Sequence, residues 1–440
     1  STASVVINER VCEGCGDCSK KSNCPSVVPL DTMFGKKRWI DQSSCNKDYA
    51  CVEGFCPSFV KVKWAVPSNR RELARALSRK EIPEPTMLPI AGVYNIQIDG
   101  IGGTGALTIA ETLGQAAHTD GRSVSVLSLS GLAQKGGTVK APLRIAHGDI
   151  LATRIPLGRV DRTLAFDLVA ATSPESLVAL ARDRSHVVVD LHEKPTSDSI
   201  HDPMKVFPKE QMPAALKEAA GADHVHGIDA TSYATELFGD SIATNILLTG
   251  YAYQLGLIPL SLESIIEAID FNGASVEMNT QAFACGRYAA AYPHEFENLG
   301  WKWKKARDAE TAMFTRVGLV WQFAHELTLY QNKAYADRYR ELVEKVRKID
   351  MRSTTMTAGP LEEAVIRGLF KLMAPKNEQE VARLYTDGEF KRQLDDTFEP
   401  GYRITGIWLA PPFMGTKKRL FGPWILPIMR ILAKLKSLRG

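Results

Sequence analysis

Apolar and polar positions change rhythm several times along the chain. It opens on a strand-like stretch that includes Ser4-Val-Val-Ile7. The charged run from Arg70 to Lys80 predicts a helix, and Pro83, Pro85 and Pro89 then stiffen the backbone into an extended linker. Val93–Ile98 reads as a buried strand. Further strands are expected near Val139–Ile145, Arg162–Phe166, Val187–Asp190 and His224–Ile228, with helices near Pro174–Asp183 and Met212–Gly221 separating the last three. That alternation predicts an α/β sheet, parallel in most of its strands. From Thr231 to Tyr292 the pattern is helical. Ile246, Leu247, Tyr251, Leu255 and Leu257 sit near helical spacing, and Pro259 ends the run. Residues 300–350 and 361–396 read as charged amphipathic helices, with Tyr335, Tyr339, Leu342 and Val346 on one stripe and Gly359-Pro360 between the blocks. A polar-aromatic, proline-rich segment from Pro400 to Pro412 precedes a tail, Phe421–Arg439. The tail combines apolar residues with Arg430, Lys434 and Lys436 on a helix, which suits packing onto a larger assembly better than binding a membrane surface.

Composition narrows the class. A chain of 440 residues makes about two to four domains. Hydrophobic and charged contents of 45% and 24% are those of a soluble globular protein, and a net charge of +4 is too small to argue for nucleic acid. No run of roughly 18 apolar residues predicts a membrane span. The start lacks a charged region and a long apolar core, so no signal peptide is expected. Both ends look cut, and the expectation is a piece of a longer polypeptide or a processed subunit.

Chemistry enters with the cysteines. Seven of the eight lie within the first 57 residues: Cys12, Cys15 and Cys18, then Cys24-Pro25, then Cys45, Cys51 and Cys56-Pro57. Thiolates separated by two residues reach different irons of one cubane through a tight turn. A following proline turns the chain away and removes a competing N–H. Zinc needs four ligands, usually from two separated pairs, and no histidine precedes His118. Clustered, odd-numbered cysteines do not make a disulfide framework. The run resembles a two-cluster bacterial ferredoxin, in which the cysteine before each proline serves the other cluster. That resemblance implies one cluster on Cys12, Cys15, Cys18 and Cys56, and a second on Cys24, Cys45 and Cys51. Asp48 stands where the middle cysteine of the second set would be. It is either a harder fourth ligand, whose weak binding would leave a three-iron cluster, or a solvated turn residue. The spacings from Cys18 to Cys24 and from Cys51 to Cys56 exceed the ferredoxin ones, so a single cluster also stays open. Lys36-Lys37-Arg38 is expected to cap a turn between short strands. Positive charge there would raise a cluster's potential, because reduction adds negative charge.

The Val93–Ile98 strand runs into Gly100-Ile-Gly102-Gly103-Thr-Gly105 and a helix over Ala106–Ala117, a Rossmann-like context. A dinucleotide would want a carboxylate at the end of the next strand, Val124–Leu129, where Ser128-Leu129-Ser130 stands instead. A glycine turn packed against a neighbour is the simpler reading. The loop Ser130–Thr138, with Gln134, Lys135, Gly136 and Gly137, would offer N–H groups to an anion or touch a partner domain. His224 and His226 alternate on one strand face, and a hydrogen-bonded pair is commoner there than a metal pair. Cys285, in an alanine-rich helix, reads as core. Iron-bound thiolates and a reduced Cys285 fit the cytoplasm.

Cys12-Glu-Gly-Cys15-Gly-Asp-Cys18, Ser43-Ser-Cys45-Asn-Lys-Asp48-Tyr and Gly54-Phe-Cys56-Pro-Ser-Phe59 together resemble the indolepyruvate ferredoxin oxidoreductases, of the 2-oxoacid:ferredoxin oxidoreductase family. Gly100–Gly105, the Gln134–Gly137 loop, Asn245-Ile-Leu-Leu, Ile258-Pro-Leu-Ser and Asn279–Phe283 resemble that family's gamma-type domain, and the helical end its long fused bacterial members. The resemblance implies α/β with α+β architecture. A ferredoxin-like iron–sulfur domain (1–66) and a linker (67–90) come first. A Rossmann-like gamma-type α/β domain (91–292) and a mainly helical domain (293–440) follow. It also implies a thiamine diphosphate enzyme, with magnesium and coenzyme A. Such an enzyme oxidatively decarboxylates an arylpyruvate to an acyl-CoA and passes electrons through iron–sulfur clusters to ferredoxin. The thiamine-binding motif is not in this sequence. The implied partners are therefore thiamine-binding domains upstream or on another chain, ferredoxin, and a second large unit in a dimer. No catalytic base or nucleophile is assigned here. Two alternatives stand beside this reading: a ferredoxin-linked NAD or flavin reductase, and a zinc-stapled scaffold.

Overall fold

The computed structural model describes residues 3–87, 89–90, 92–130, 137–194, 202, 207–304, 315–350, 352–354, 357–411 and 418–435. The chain forms two compact units. One comprises the described parts of Ser1–Ser68 and Lys302–Gly440, the other those of Asn69–Lys194 and Val206–Trp301.

The first unit opens with β1 (Ser4–Ile7), β2 (Val27–Thr32), β3 (Gly35–Ile40) and β4 (Phe59–Lys63). β1 pairs antiparallel with β4, from Ser4 opposite Val62 to Ile7 opposite Phe59. β2 and β3 form a hairpin whose turn is at Met33-Phe34, with Gly35 at φ +87°. The turn therefore precedes Lys36-Lys37-Arg38. These residues lie on β3 itself, and Lys37 and Arg38 are only 5% and 1% exposed.

The second unit holds β5 (Val93–Ile101), β6 (Ser123–Val126), β7 (Leu129–Ser130), β8 (Thr138–Ala146), β9 (Arg162–Ala165), β10 (His186–Asp190) and β11 (Val225–Ile228). Their order is β11-β10-β9-β5-β8-β6, with β7 also on β8. β5, β9, β10 and β11 pair in parallel, and β8 runs against its neighbours β5, β6 and β7. Ile96, Ile98, Leu143, Ile145 and Val187–Val189 are buried, as expected for strands covered on both faces. The insertion of β8 matters chemically. In a dinucleotide-binding sheet the strand after the glycine-turn helix lies beside the first strand; here the antiparallel β8 separates β6 from β5.

Of the segment 67–90 expected as a linker, the described residues from Asn69 onward belong to this unit. The helix Arg71–Ser78 buries Ala74 and Leu77. Gln254 Nε2 donates to the Pro83 carbonyl at 2.7 Å. The helices Thr244–Gln254 and Val276–Ala291 approach backbone to backbone. A Cβ on Gly250 would stand 2.0 Å from the Phe283 carbonyl oxygen, and one on Gly286 1.9 Å from that of Leu247.

Back in the first unit, the helices Arg316–Tyr330, Lys333–Ile349, Pro360–Met373, Glu378–Thr386 and Glu389–Thr397 lead to β12 (Arg403–Leu409) and β13 (Arg419–Phe421). The polar-aromatic, proline-rich segment thus contains a strand. β12 pairs antiparallel with β4 and shifts register between Ile404 and Gly406, completing a sheet of order β1-β4-β12-β13. One core joins Val6, Val60 and Val62 to Leu384, Tyr385, Leu394, Phe398, Ile407 and Met429, the last from the tail helix Ile425–Lys434. Pro412 and residues 436–440 of that tail lie outside the described residues. Among the described residues no helix is long and apolar enough to cross a membrane.

Candidate metal centre

The eight cysteines are all unpaired. Cys12, Cys18 and Cys51 are buried among Val5, Ile7, Val27, Ile40 and Phe59, and Cys24, Cys45 and Cys56 pack against them. Cys15 is exposed. The loops carrying them are built from left-handed turns. Gly14 and Gly16 sit at φ +67° and +76°, Lys47 and Tyr49 at +61° and +64°. A Cβ on Gly14 would fall 1.9 Å from the Lys36 carbonyl oxygen, so only glycine lets the first loop lie against β3. These turns aim N–H groups at sulfur. Gly14 N–H donates to Cys12 Sγ at 3.3 Å, the Lys47 N–H bonds Cys45, and Cys56 Sγ lies 3.0 Å from Ser58 Oγ.

Electrostatics sort the cysteines into two sets. Burial, then the charge of Cys12, pushes the Cys18 thiol up to about 11, with Cys56 adding to the rise. Cys56 is raised by burial and by Cys12 and Cys15. Burial and then Cys24, Cys45, Cys18 and Asp48 push Cys51 up to about 12. Cys45 is raised by burial, Cys24 and Asp48. Thus Cys12, Cys15, Cys18 and Cys56 bear on one another, and Cys24, Cys45, Cys51 and Asp48 on one another, with Cys18 and Cys51 meeting between. Asp48 is exposed, and its Oδ1 accepts the Ala50 N–H at 2.9 Å, a local turn contact just ahead of the short turn Ala50–Glu53.

The cations around the first set fit an anionic group. Arg38 lies close enough to Cys18 to lower its pKa, and its Nη1 and Nη2 are buried without a hydrogen-bond partner. A guanidinium so placed calls for an acceptor, and sulfur carrying negative charge is one. Lys37 Nζ donates to the Cys12 carbonyl at 2.7 Å, and burial, reinforced by the Lys376 ammonium, pulls its pKa down to about 8. Lys376 reaches the same carbonyl at 3.1 Å and pairs with Glu13 at 2.8 Å. Lys418 donates to the Cys56 carbonyl at 3.2 Å and stands 4.3 Å from the Phe59 ring centroid; burial pulls it down to about 8 against the field of Cys56, Cys51, Cys18 and Asp17. Among the described residues no three His, Cys, Asp or Glu side chains are grouped to hold a single metal ion. Thiolates that each bind a different iron of a cluster stand further apart than ligands of one ion. Positive charge at 36–38 was legible in the sequence, its burial was not. Lys376 and Lys418 lie over three hundred residues from the cysteines and carried no signal.

Elsewhere the predicted candidates are structural. His224 and His226 lie beside His186, whose ring stacks on theirs at 4.2 and 5.6 Å between centroids. Stacked rings do not converge lone pairs on a metal. His192, Asp229 and Ser232 cluster, yet Asp229 and Ser232 both meet His192 at Nδ1, at 3.1 and 3.2 Å, so no nucleophile–base relay forms. Cys285 is fully buried, and burial pushes its thiol up to about 12. The Gly100–Gly105 turn places Gly103 and Gly105 at φ +84° and +87° ahead of the helix Ala106–Thr119. Gln134, Lys135 and Gly136 lie outside the described residues.

Comparison with known proteins bears on the second unit and on the carboxy-terminal segment. Residues 95–289, which include most of β5 and all of β6 to β11, match the family "Pyruvate ferredoxin/flavodoxin oxidoreductase". Residues 317–440 match a family of unknown function, DUF6537. The seven clustered cysteines fall outside both. The chain is 30% identical over 202 residues to the indolepyruvate oxidoreductase subunit IorB of Methanothermobacter thermautotrophicus, covering 45% of this chain and 98% of that one. It is 31% identical over 201 residues to the subunit of the same name from Thermococcus kodakarensis, covering 45% and 96%. Among solved structures, the pyruvate oxidoreductase subunit PORC of Thermotoga maritima aligns with a TM-score of 0.34 at 21% identity, over 45% of this chain and 96% of that one. With nearly the whole of an indolepyruvate oxidoreductase subunit matched at 30% identity, this chain belongs to the 2-oxoacid:ferredoxin oxidoreductase family.

Proposed function

We propose that the chain is the electron-transfer and gamma-domain portion of a thiamine diphosphate-dependent arylpyruvate:ferredoxin oxidoreductase, with indolepyruvate as the substrate class. In this reading Cys12, Cys15, Cys18 and Cys56 hold one four-iron cluster. Cys24, Cys45 and Cys51 hold a second, with Asp48 at its fourth corner. The observation that carries the reading is Arg38, a buried guanidinium with two unpartnered nitrogens beside Cys18. Iron–sulfur clusters supply one-electron steps at low potential, which suits the stepwise exit of two electrons from an oxidised 2-oxoacid.

This chain's residues would do four things. The thiols pushed up by burial and by one another would release their protons to solvent on binding iron rather than act as free nucleophiles. The N–H groups of Gly14 and Lys47 stabilise negative charge on Cys12 and Cys45. Arg38 and Lys37 offset the added charge of the reduced state. The apolar wall of Val5, Ile7, Val27, Ile40 and Phe59 keeps water from the buried sulfurs. Decarboxylation, thiamine, magnesium and coenzyme A belong in this reading to thiamine-binding domains outside this sequence, and ferredoxin is the acceptor.

The test is iron and acid-labile sulfide analysis of chain purified without oxygen, with electron paramagnetic resonance before and after dithionite. Near eight irons and eight sulfides, or seven irons with a three-iron signal, are expected for two clusters. A colourless protein holding zinc refutes the reading. Reduction of ferredoxin by indolepyruvate and coenzyme A, once the thiamine-binding domains are supplied, tests the substrate class.

A further inference from the structure

We propose that the carboxy-terminal segment of otherwise unassigned function, residues 317–440, is a clamp on the ligand loops of the first cluster, and that its Lys376 and Lys418 hold that cluster at a higher reduction potential than the second. The inference rests on the iron–sulfur reading above.

The segment grips the amino-terminal loops at several points. β12 adds to β4, the strand that follows Cys56. Arg10, two residues before Cys12, lies between Glu326 at 2.5 Å and Asp387 at 3.0 Å. Arg383 locks the same carboxylates from within the segment, reaching Glu326 at 2.8 Å and Asp387 at 3.3 Å. Asn8 Nδ2 donates to the Leu384 carbonyl at 3.1 Å, and Gln393 Nε2 to that of Ile7 at 2.9 Å. The Tyr385 hydroxyl donates to the Pro57 carbonyl at 2.7 Å, next to Cys56.

Against this frame two ammonium groups are set on the backbone of cluster ligands, Lys376 on Cys12 and Lys418 on Cys56. Both carbonyls belong to the first set. Lys376 joins Lys37 on one carbonyl oxygen, an arrangement of like charges that asks for more negative charge nearby than Glu13 alone brings. Among the cysteines, Cys56 of the first set acts most strongly on Lys418, followed by Cys51 of the second set and Cys18 of the first. A cation beside a cluster stabilises the reduced, more negative state, and in a half-buried site the interaction is weakly screened. The two lysines therefore favour electron residence on the first cluster over the second.

The experiment is a redox titration followed by electron paramagnetic resonance on the full chain, after iron and sulfide analysis of the wild type. Lys376→Gln and Lys418→Gln, singly and together, are compared with Lys376→Arg and Lys418→Arg. The glutamine pair is expected to lower the reduced-to-oxidised ratio of the first cluster about tenfold at fixed potential, a shift of ~59 mV for one electron. The second cluster should move less, and the arginine variants should stay near the wild type. If the double variant loses iron, the single variants decide by the same criterion. First-cluster potentials unchanged in the glutamine variants, or lowered equally in the arginine ones, overturn the proposal while leaving the clusters standing. Wild-type chain without iron and sulfide instead removes the reading on which it rests.

Discussion

Replacing Arg38 by methionine should have opposite effects on stability with and without the iron–sulfur clusters. The guanidinium is 1% exposed, and two of its nitrogens have no partner. Each unsatisfied buried donor costs ~1–3 kcal/mol, and exchanging buried charge for an apolar group of similar length commonly gains ~1–4 kcal/mol. In chain stripped of metal, Arg38→Met should therefore stabilise the first unit by about 2–4 kcal/mol. In loaded chain the same change removes charge-assisted hydrogen bonds worth ~1.5–3 kcal/mol each to anionic sulfur, and destabilisation is expected. The two compact units make a single global transition an unsafe readout. Hydrogen exchange of the β1 and β4 amides, measured anaerobically against urea in both forms, isolates the unit concerned. An Arg38→Met change that destabilises stripped and loaded chain alike would show that Arg38 is satisfied without a cluster, and the argument for an anionic group beside Cys18 would fail.

Three further outcomes follow from particular residues. Asp48→Cys should abolish any three-iron signal of the oxidised protein; identical spectra would leave Asp48 as a turn residue that accepts the Ala50 N–H. Gly250→Ala should cost about 1–3 kcal/mol in urea unfolding of the second unit, because its Cβ meets the Phe283 backbone at 2.0 Å, and a cost under ~1 kcal/mol would mean the helices can part freely. Asp99, fully buried on β5, is pushed up by burial from 3.8 to about 6. The native carboxyl thus holds its proton more tightly than the unfolded one. Stability falls as pH rises from 3.8 to about 6, and the penalty is complete above that. Asp99→Asn should stabilise the second unit by ~2–3 kcal/mol at pH 7, at ~1.4 kcal/mol per pKa unit, and by almost nothing below pH 4. A gain independent of pH would refute the titration.

Much of this protein was legible in local sequence, because local patterns report local geometry. Cysteines at short spacing, the Gly100–Gly105 turn, and the apolar runs that became β5, β8, β9, β10 and β11 each depend on neighbours within a few residues. So do the helices that begin at Arg316, Lys333 and Pro360. Long-range pairing escaped such reading. Local pattern does not mark Arg403–Leu409 as a strand; pairing with β4, with a register shift between Ile404 and Gly406, makes it one. β8 separates β6 from β5 because of hydrogen bonds between strands, which no periodicity encodes. Lys37 and Arg38 were expected to cap a turn and are instead buried cations on β3. The sequence by itself determined which residues can offer thiolates and turns, since that is a matter of residue type and spacing. Only the tertiary structure decided which cysteines share a field, which cations face them, and that Lys376 and Lys418 come to Cys12 and Cys56. Electrostatic and hydrogen-bond energies depend on distance through space, and folding sets that distance independently of separation along the chain.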